Sequence, residues 1–160
     1  MPRLEDLSEV ERKTVTFFPC MEFDSTPWVS LSKDLSQSKV ALITTAGLHV
    51  RGDKPFISDF KGGDPSFRVI PSNTSPADIL QSHVSIGFDH TGFYKDMNIA
   101  FPIDRLRELV DRGVIGSVSD NYYSFMGALR DPRRVVDDTG PQVAQLLKDE
   151  GVDVAFLVPI

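Results

Sequence analysis

The histidines of this chain and one nearby aspartate are the residues best suited to acid–base or metal chemistry. His83, Asp89 and His90 lie in one short segment, and His49 is the remaining imidazole. Because an imidazole changes charge near neutral pH, His90 or His83 could act as a general acid, with Asp89 orienting the ring. The same three residues could instead hold Zn²⁺ or Fe²⁺, although their spacing matches no standard metal motif. A polar turn with exposed histidines is the third interpretation.

A second group of small polar residues follows two predicted strands. Ligands of parallel α/β sheets bind just beyond the carboxyl ends of strands, where hydroxyls and backbone N–H groups can hold a carboxylate. The predicted substrate-binding residues are Thr44, Thr45, Gly47, His49, Ser124 and Gly127. Simple capping of the strand ends is the alternative interpretation.

The elements that must position these residues predict an α/β fold, a three-layer sandwich with a mostly parallel sheet. Segment 39–45 is β-branched and apolar on both faces, which is typical of a central strand covered by helices. Segments 101–113 and 139–151 have helical periodicity and end at glycines. The apolar run 152–160 follows the second helix directly, so we expect a buried strand there. Such a helix-then-strand unit favours a parallel sheet.

Other segments carry weaker signals. A charged helix is predicted at 4–13, a turn at 46–49, and a long loop at 50–76 that contains a short strand at 67–71. The alternation of apolar and polar residues at 82–90 predicts a half-buried strand ending in a polar turn. Short strands are expected at 114–118 and 121–126.

The composition and the positions of the prolines predict two regions, an N-terminal arm at 1–31 and a single α/β domain at 32–160. Pro19 and Pro27 interrupt the apolar patch that includes Trp28, so we expect an extended arm against the domain or a partner. The net charge of −6 and the pI near 5.0 argue against nucleic-acid binding. No segment resembles a signal peptide or a bilayer span, so we expect a cytoplasmic protein without membrane contact. The single cysteine, Cys20, excludes an internal disulfide.

Several short motifs together resemble a known family. Segments 40–49, 101–109, 113–116 and 123–127 occur in the order found in the selenoprotein B family of glycine, sarcosine, betaine and D-proline reductases. The resemblance extends from about Ser32 to Ile160. Two further motifs, at 64–68 and 96–99, look most like the D-proline reductase subunit.

The resemblance implies a chemistry and a missing residue. The family cleaves the C–N bond at the carbon next to a carboxylate, using a selenocysteine or cysteine after the strand that matches 152–159. A selenolate attacks that carbon, the amine leaves, a thiol resolves the adduct, and a dithiol is the final reductant. In this sequence the nucleophile is expected just beyond Ile160, Cys20 does not match it, and no cofactor is expected within the chain. A selenocysteine codon read as a stop and a shortened, non-reductase relative both fit this pattern.

The expected ligand is a small amino acid or a betaine-like molecule. The apolar arm and an uncovered C-terminal strand indicate a second reductase subunit or a homo-oligomer as partner. Two alternatives remain open. One is a non-catalytic amino-acid-binding or assembly protein, and the other is a metal-assisted lyase or hydrolase using His83, Asp89 and His90.

Overall fold

The computed structural model describes residues 3–17, 22, 24–26, 28–57, 63–85, 88 and 90–160, which form two compact units divided between Ser30 and Leu31. The first unit contains a 3₁₀ turn, Leu4–Asp6, and helix α1, Glu9–Phe17. The helix predicted at 4–13 therefore starts and ends later. Its start is set by Ser8, whose hydroxyl and backbone N–H exchange hydrogen bonds with the backbone N–H and carboxylate of Glu11. Pro19, Cys20 and Pro27 lie outside the described residues.

A five-stranded, mostly parallel sheet forms the centre of the second unit. Strand β1, Lys39–Thr44, pairs in parallel with β7, Val154–Val158, along one edge. Its other edge pairs first with β5, Ser117–Val118, and then with β6, Asn121–Ser124, both also parallel. β3, Arg68–Pro71, extends the sheet antiparallel to β6. The predicted central strand is confirmed.

Helices cover both faces of this sheet. Alternate residues of β1 point to opposite faces, and each set belongs to a different apolar cluster. Leu42 belongs to one cluster together with Phe93 of α2, His90–Lys95, and Leu106 of α3, Ile103–Asp111. Ala41 belongs to the other cluster together with Val143 and Leu147 of α4, Gly140–Asp149. A π-helical turn at Val135–Thr139 precedes α4. The predicted α/β sandwich is confirmed.

The helices at 101–113 and 139–151 are confirmed as α3 and α4. Gly113 and Gly151 follow them with φ of +67° and +72°, the left-handed conformation that ends a helix at little cost for glycine. No helix within the described ranges is long and apolar enough to cross a bilayer.

A two-stranded antiparallel ribbon lies beside the sheet and corrects two predictions. It consists of β2, Leu48–Val50, and β4, Ile79–Gln81. The predicted turn at 46–49 therefore already enters a strand. The strand predicted at 82–90 is wrong for the described residues 82–85 and 88, and His90 already begins α2. Pairing ends at Leu48 with Gln81, after which the Ser82 N–H donates to Gly47 O and the Ser85 N–H to the His83 ring. Alternation indicated partial burial there, but no strand in the described part of the chain pairs with residues 82–85.

The C-terminal strand is confirmed, but its predicted burial is wrong. Within the described part of the chain β7 pairs only with β1, so it is an edge strand. The exposed fractions of Phe156 and Leu157 are 44% and 64%. A continuous apolar run shows that a segment belongs in a sheet, whereas burial also depends on whether a second neighbour covers it.

Candidate functional site

The carboxyl ends of three parallel strands lie at one level of the sheet. Thr44, the last residue of β1, is the register partner of both Ser124 in β6 and Val158 in β7. The residues that follow these strands therefore share one edge, which is the place where a parallel α/β sheet binds ligands.

Thr44 and Ser124 are completely buried at this edge and already have backbone partners. The Thr44 hydroxyl donates to Ala100 O at 2.8 Å and accepts the Ala46 N–H at 3.2 Å. The Ser124 hydroxyl accepts the Leu48 N–H at 2.7 Å. Both side chains thus hold the segment that joins β1 to β2, and their contact with a substrate stays a prediction.

Thr45 and Gly127 hold the backbone that follows β7. The Thr45 hydroxyl accepts the Ile160 N–H at 2.8 Å, and the Gly127 N–H donates to Thr45 O at 2.8 Å. A Cβ on Gly127 would lie 2.5 Å from Ile160 O. The absence of a side chain at 127 therefore allows Ile160 to lie against the loop after β6.

Gly47 brings the His83 segment to the loop after β1. Its φ is +65°, its N–H donates to Phe125 O at 2.9 Å, and its carbonyl accepts the Ser82 N–H at 2.9 Å. A Cβ here would lie 3.0 Å from His83 N. Glycine is needed both for the left-handed backbone and for this close approach.

His83 is buried as a neutral ring with one unused donor. Its Nδ1 accepts the Ser85 N–H at 3.2 Å, so the neutral ring carries its proton on Nε2. Nε2 has no hydrogen-bond partner among the residues that the structure describes, although the residue is only 7% exposed. Burial, and then the proximity of His90, lower the pKa of His83. The group is therefore neutral at pH 7 and offers an N–H donor.

His90 also contacts the Phe88 ring. The Phe88 ring stacks on His83 at a centroid distance of 4.8 Å and makes a T-shaped contact with His90 at a centroid distance of 5.2 Å. His90 is exposed at the start of α2, and its Nδ1 lies 2.7 Å from Gln81 Oε1. The structure thus brings the two predicted catalytic histidines together. Asp89 lies outside the described residues, and the group at Nδ1 of His90 is an amide.

His49 lies in β2, one residue from the start of the ribbon. Its Nδ1 is 3.3 Å from the Ser82 hydroxyl, and the residue is 6% exposed. Burial and the charge of Arg68 lower the pKa of His49, and Asp53 partly opposes them. Ser82 therefore connects His49 to the segment that carries His83.

The metal interpretation gains no support from the described ranges. Within them no group of three or more His, Cys, Asp or Glu side chains could hold a metal ion. Both His83 and His90 use Nδ1 for hydrogen bonds within the protein, so only Nε2 of each ring would remain as a ligand atom.

Sequence reasoning missed Gln81, Ser82 and Phe88, which connect the histidines to the sheet. None of them carries a motif signal. Gln81 and Ser82 act through contacts distant in sequence, with Ala46 and His49 respectively, and Phe88 acts through ring contacts with His83 and His90. Only the ribbon register identifies Gln81, which pairs with Leu48 just after the candidate edge.

Arg68 and Asp64 hold the long loop that precedes β3. The Arg68 guanidinium donates to the carbonyls of Lys54 and Pro55 and lies 4.2 Å from the centre of the Phe56 ring. Burial raises the pKa of Asp64, but hydrogen bonds from Ser66 and Ile57 and the Arg68 charge outweigh it, so the pKa is lowered overall. Arg68 is occupied by backbone carbonyls, which indicates a structural role.

Comparison with known proteins identifies the family of this chain. The family model described as glycine/sarcosine/betaine reductase selenoprotein B matches residues 6–159. D-proline reductase subunit gamma of Acetoanaerobium sticklandii is 41% identical over 130 residues, which cover 81% of this chain and 52% of that protein. Glycine reductase complex component B subunit gamma of Carboxydothermus hydrogenoformans is 31% identical, covering 89% and 32% respectively.

Sarcosine reductase complex component B subunit beta of Peptoclostridium acidaminophilum is 30% identical over 72% of this chain and 26% of its own length. The chain thus spans about half, or less, of the curated relatives it matches. No solved structure gives a significant match. The family model covers nearly every residue and agrees with the resemblance drawn from the motifs, and the chain belongs to the glycine/sarcosine/betaine reductase selenoprotein B family.

Proposed function

We propose that this chain forms the substrate-binding part of a reductase that cleaves the C–N bond next to a carboxylate. The candidate substrates are D-proline, glycine, sarcosine and betaine, with D-proline favoured by the 41% identity to a D-proline reductase subunit. Relatives named as glycine and sarcosine reductase components support the same reaction class. An oxidoreductase that uses a dithiol as reductant is the proposed enzyme type.

The observation that carries the assignment of the site is the unpartnered Nε2–H of His83 beside Gly47. A buried N–H without a partner is unfavourable, so the position is suited to a ligand that accepts a hydrogen bond. A substrate carboxylate supplies such an oxygen. A neutral donor is adequate for this purpose, and burial keeps His83 neutral by lowering its pKa. His83 therefore binds the carboxylate and does not supply the proton.

His90 is the proposed general acid. It is exposed at the start of α2, whereas His83 is buried, so its ring is accessible to solvent and to a substrate. When the C–N bond breaks, the amine leaves with the bonding electrons and takes a proton from His90. The orientation of this ring by Asp89 remains a prediction.

The proposed nucleophile is a selenocysteine or cysteine outside these 160 residues. This proposal rests on the family resemblance, since Cys20 does not match the family's nucleophile. A low-pKa chalcogen supplies the attacking lone pair, because only its deprotonated form is a good nucleophile. Thr45 and Gly127 support this placement, since they fix the backbone after β7 at the edge that Gly47 also borders.

A second reductase subunit or a second copy of the chain is the proposed partner. Relatives are named as subunits or components of reductase complexes. The exposed apolar side chains of Phe156 and Leu157 on the edge strand β7 support association at that edge.

Titration of the ¹⁵N-labelled chain with D-proline tests the binding proposal. We expect saturable shifts at the amides of Gly47 and His83, weaker shifts with glycine, sarcosine and betaine, and none with L-proline. His83→Phe keeps an aromatic ring beside Phe88 but removes the N–H, so D-proline affinity should fall about tenfold to a hundredfold. Gln145→Leu on the exposed face of α4 is the matched control and should bind normally. Absence of saturable binding, or equal affinity in His83→Phe, would contradict the proposal.

A further inference from the structure

We infer that Gln81 is a positioning residue that fixes the tautomer of His90, with the proton on Nδ1 and the exchangeable position at Nε2. This inference rests on the proposed function for its catalytic meaning, but the tautomer itself is a property of the chain alone. Gln81 is the last residue of β4, and its backbone is held by pairing with Leu48.

The Gln81 side chain connects two segments distant in sequence. Its Nε2 lies 3.4 Å from Ala46 O in the loop after β1, and its Oε1 lies 2.7 Å from Nδ1 of His90 at the start of α2. The side chain is half-buried. The ring of His90 is therefore tied to the same loop that carries Gly47.

The direction of each hydrogen bond follows from the chemistry of the partners. A backbone carbonyl can only accept, so the amide NH₂ of Gln81 faces Ala46 O. Its Oε1, which can also only accept, must then face His90, and Nδ1 of His90 must be the donor. A neutral imidazole has one N–H, which leaves a lone pair on Nε2.

The consequence is that His90 gains and loses its proton at Nε2, on the far side of the ring from Gln81. The Nδ1 proton is committed to the amide in both charge states. Under the proposed function, Nε2 delivers the proton to the departing amine, and Gln81 acts through His90 without contacting the substrate. The Phe88 ring restricts the movement of His90 on a second side.

The test is the His90 tautomer in the ligand-free ¹⁵N-labelled chain, read from long-range ¹H–¹⁵N spectra at a pH where the ring is neutral. We expect the Nδ1–H form in the parent chain. In Gln81→Leu the acceptor is lost, and the ratio should move about fivefold to tenfold toward the Nε2–H form, as the loss of one ordinary hydrogen bond implies. Gln81→Glu retains an acceptor of the same length and should retain the Nδ1–H form.

Gln145→Leu is again the matched control, since it removes an exposed glutamine amide whose NH₂ donates to Asp149 Oδ1. It should leave the His90 spectrum unchanged. A parent chain in the Nε2–H form, or the same ratio in Gln81→Leu as in the parent, would overturn the inference. Neither result depends on D-proline binding, so failure of the binding proposal is distinguished from failure of this one.

In an assembled reductase active on D-proline, Gln81→Leu should lower kcat at least tenfold with little change in KM, the order expected when a general acid is misdirected. Gln81→Glu should recover most of that rate. A KM effect without a kcat effect would mean that Gln81 serves substrate binding, and would overturn the positioning role.

Discussion

Gly47→Ala should disturb the contact that joins β1 to the His83 segment. Two effects add at this position. The backbone φ of +65° is unfavourable for alanine by about 1–2 kcal/mol. The new Cβ would also lie 3.0–3.3 Å from the N, Cα and Cβ of His83, and such overpacking costs about 1–3 kcal/mol. The sum is about 2–5 kcal/mol of unfolding free energy.

Gly113 provides a matched control for the backbone effect. Its φ is +67°, but a Cβ there would meet no atom within 4 Å. Gly113→Ala should therefore lose only the backbone contribution. The difference between the two variants measures the crowding against His83, and should be about 1–3 kcal/mol.

Urea unfolding followed by far-UV circular dichroism measures both variants, with equal m-values as the check that only stability has changed. In thermal unfolding the difference corresponds to roughly 2–12 °C, at about 2–4 °C per kcal/mol for a chain of this size. Gly47→Ala should also weaken D-proline binding. Equal losses in Gly47→Ala and Gly113→Ala would refute the packing of His83 on Gly47.

Three further predictions concern buried polar groups. Burial raises the pKa of Tyr122 to about 12, and its hydroxyl has no hydrogen-bond partner in the described ranges, so Tyr122→Phe should stabilise the chain by about 1 kcal/mol in urea unfolding. The pKa values of His49 and His83 are lowered in the folded state, so the unfolded chain binds more protons below about pH 6.5. Unfolding free energy should be greatest above that pH and fall as pH decreases, with a shallower slope in His83→Gln; an unchanged slope would contradict the assignment. Arg68→Lys replaces the forked guanidinium that donates to the carbonyls of Lys54 and Pro55, and should lower the unfolding free energy by about 2 kcal/mol. The control is Arg51→Lys, which changes an exposed ion pair and should change the unfolding free energy by close to zero.

The parts of the fold that sequence reasoning found share a strong local signal. Segment 39–45 is apolar on both faces, and this pattern indicates burial between two layers without knowledge of the neighbours. Helix α3 has an apolar face that includes Ile103 and Leu106, and Gly113 follows its last turn in the left-handed conformation. Such signals depend on residues within a few positions of each other, so they can be recognised from the sequence alone.

The wrong predictions concern segments whose secondary structure or burial depends on a neighbouring strand. Residues 82–85 alternate in polarity like a strand, but β2 is too short to continue pairing beyond Gln81. The run at 152–160 is apolar enough for a central strand, yet Leu157 is 64% exposed, and among the described residues β7 pairs with β1 alone. Neither fact is encoded locally.

Some features of the candidate site could likewise be predicted from the sequence, and others could not. The sequence identified His83 and His90 as titratable groups in one segment, and Gly47 as a position that permits close approach. It could not show that His83 packs on Gly47, since these residues meet only when the ribbon of β2 and β4 forms.

The sequence by itself determined the family, the α/β class and the residue types available for chemistry, because motifs, periodicity and side-chain functional groups are properties of the chain. The tertiary structure alone decided which histidine is buried and neutral, which is exposed, and which atom of each ring is available. Those properties depend on desolvation and on hydrogen-bond partners, such as the amide of Gln81 at His90. Both are set by contacts between segments that only the folded sheet brings together.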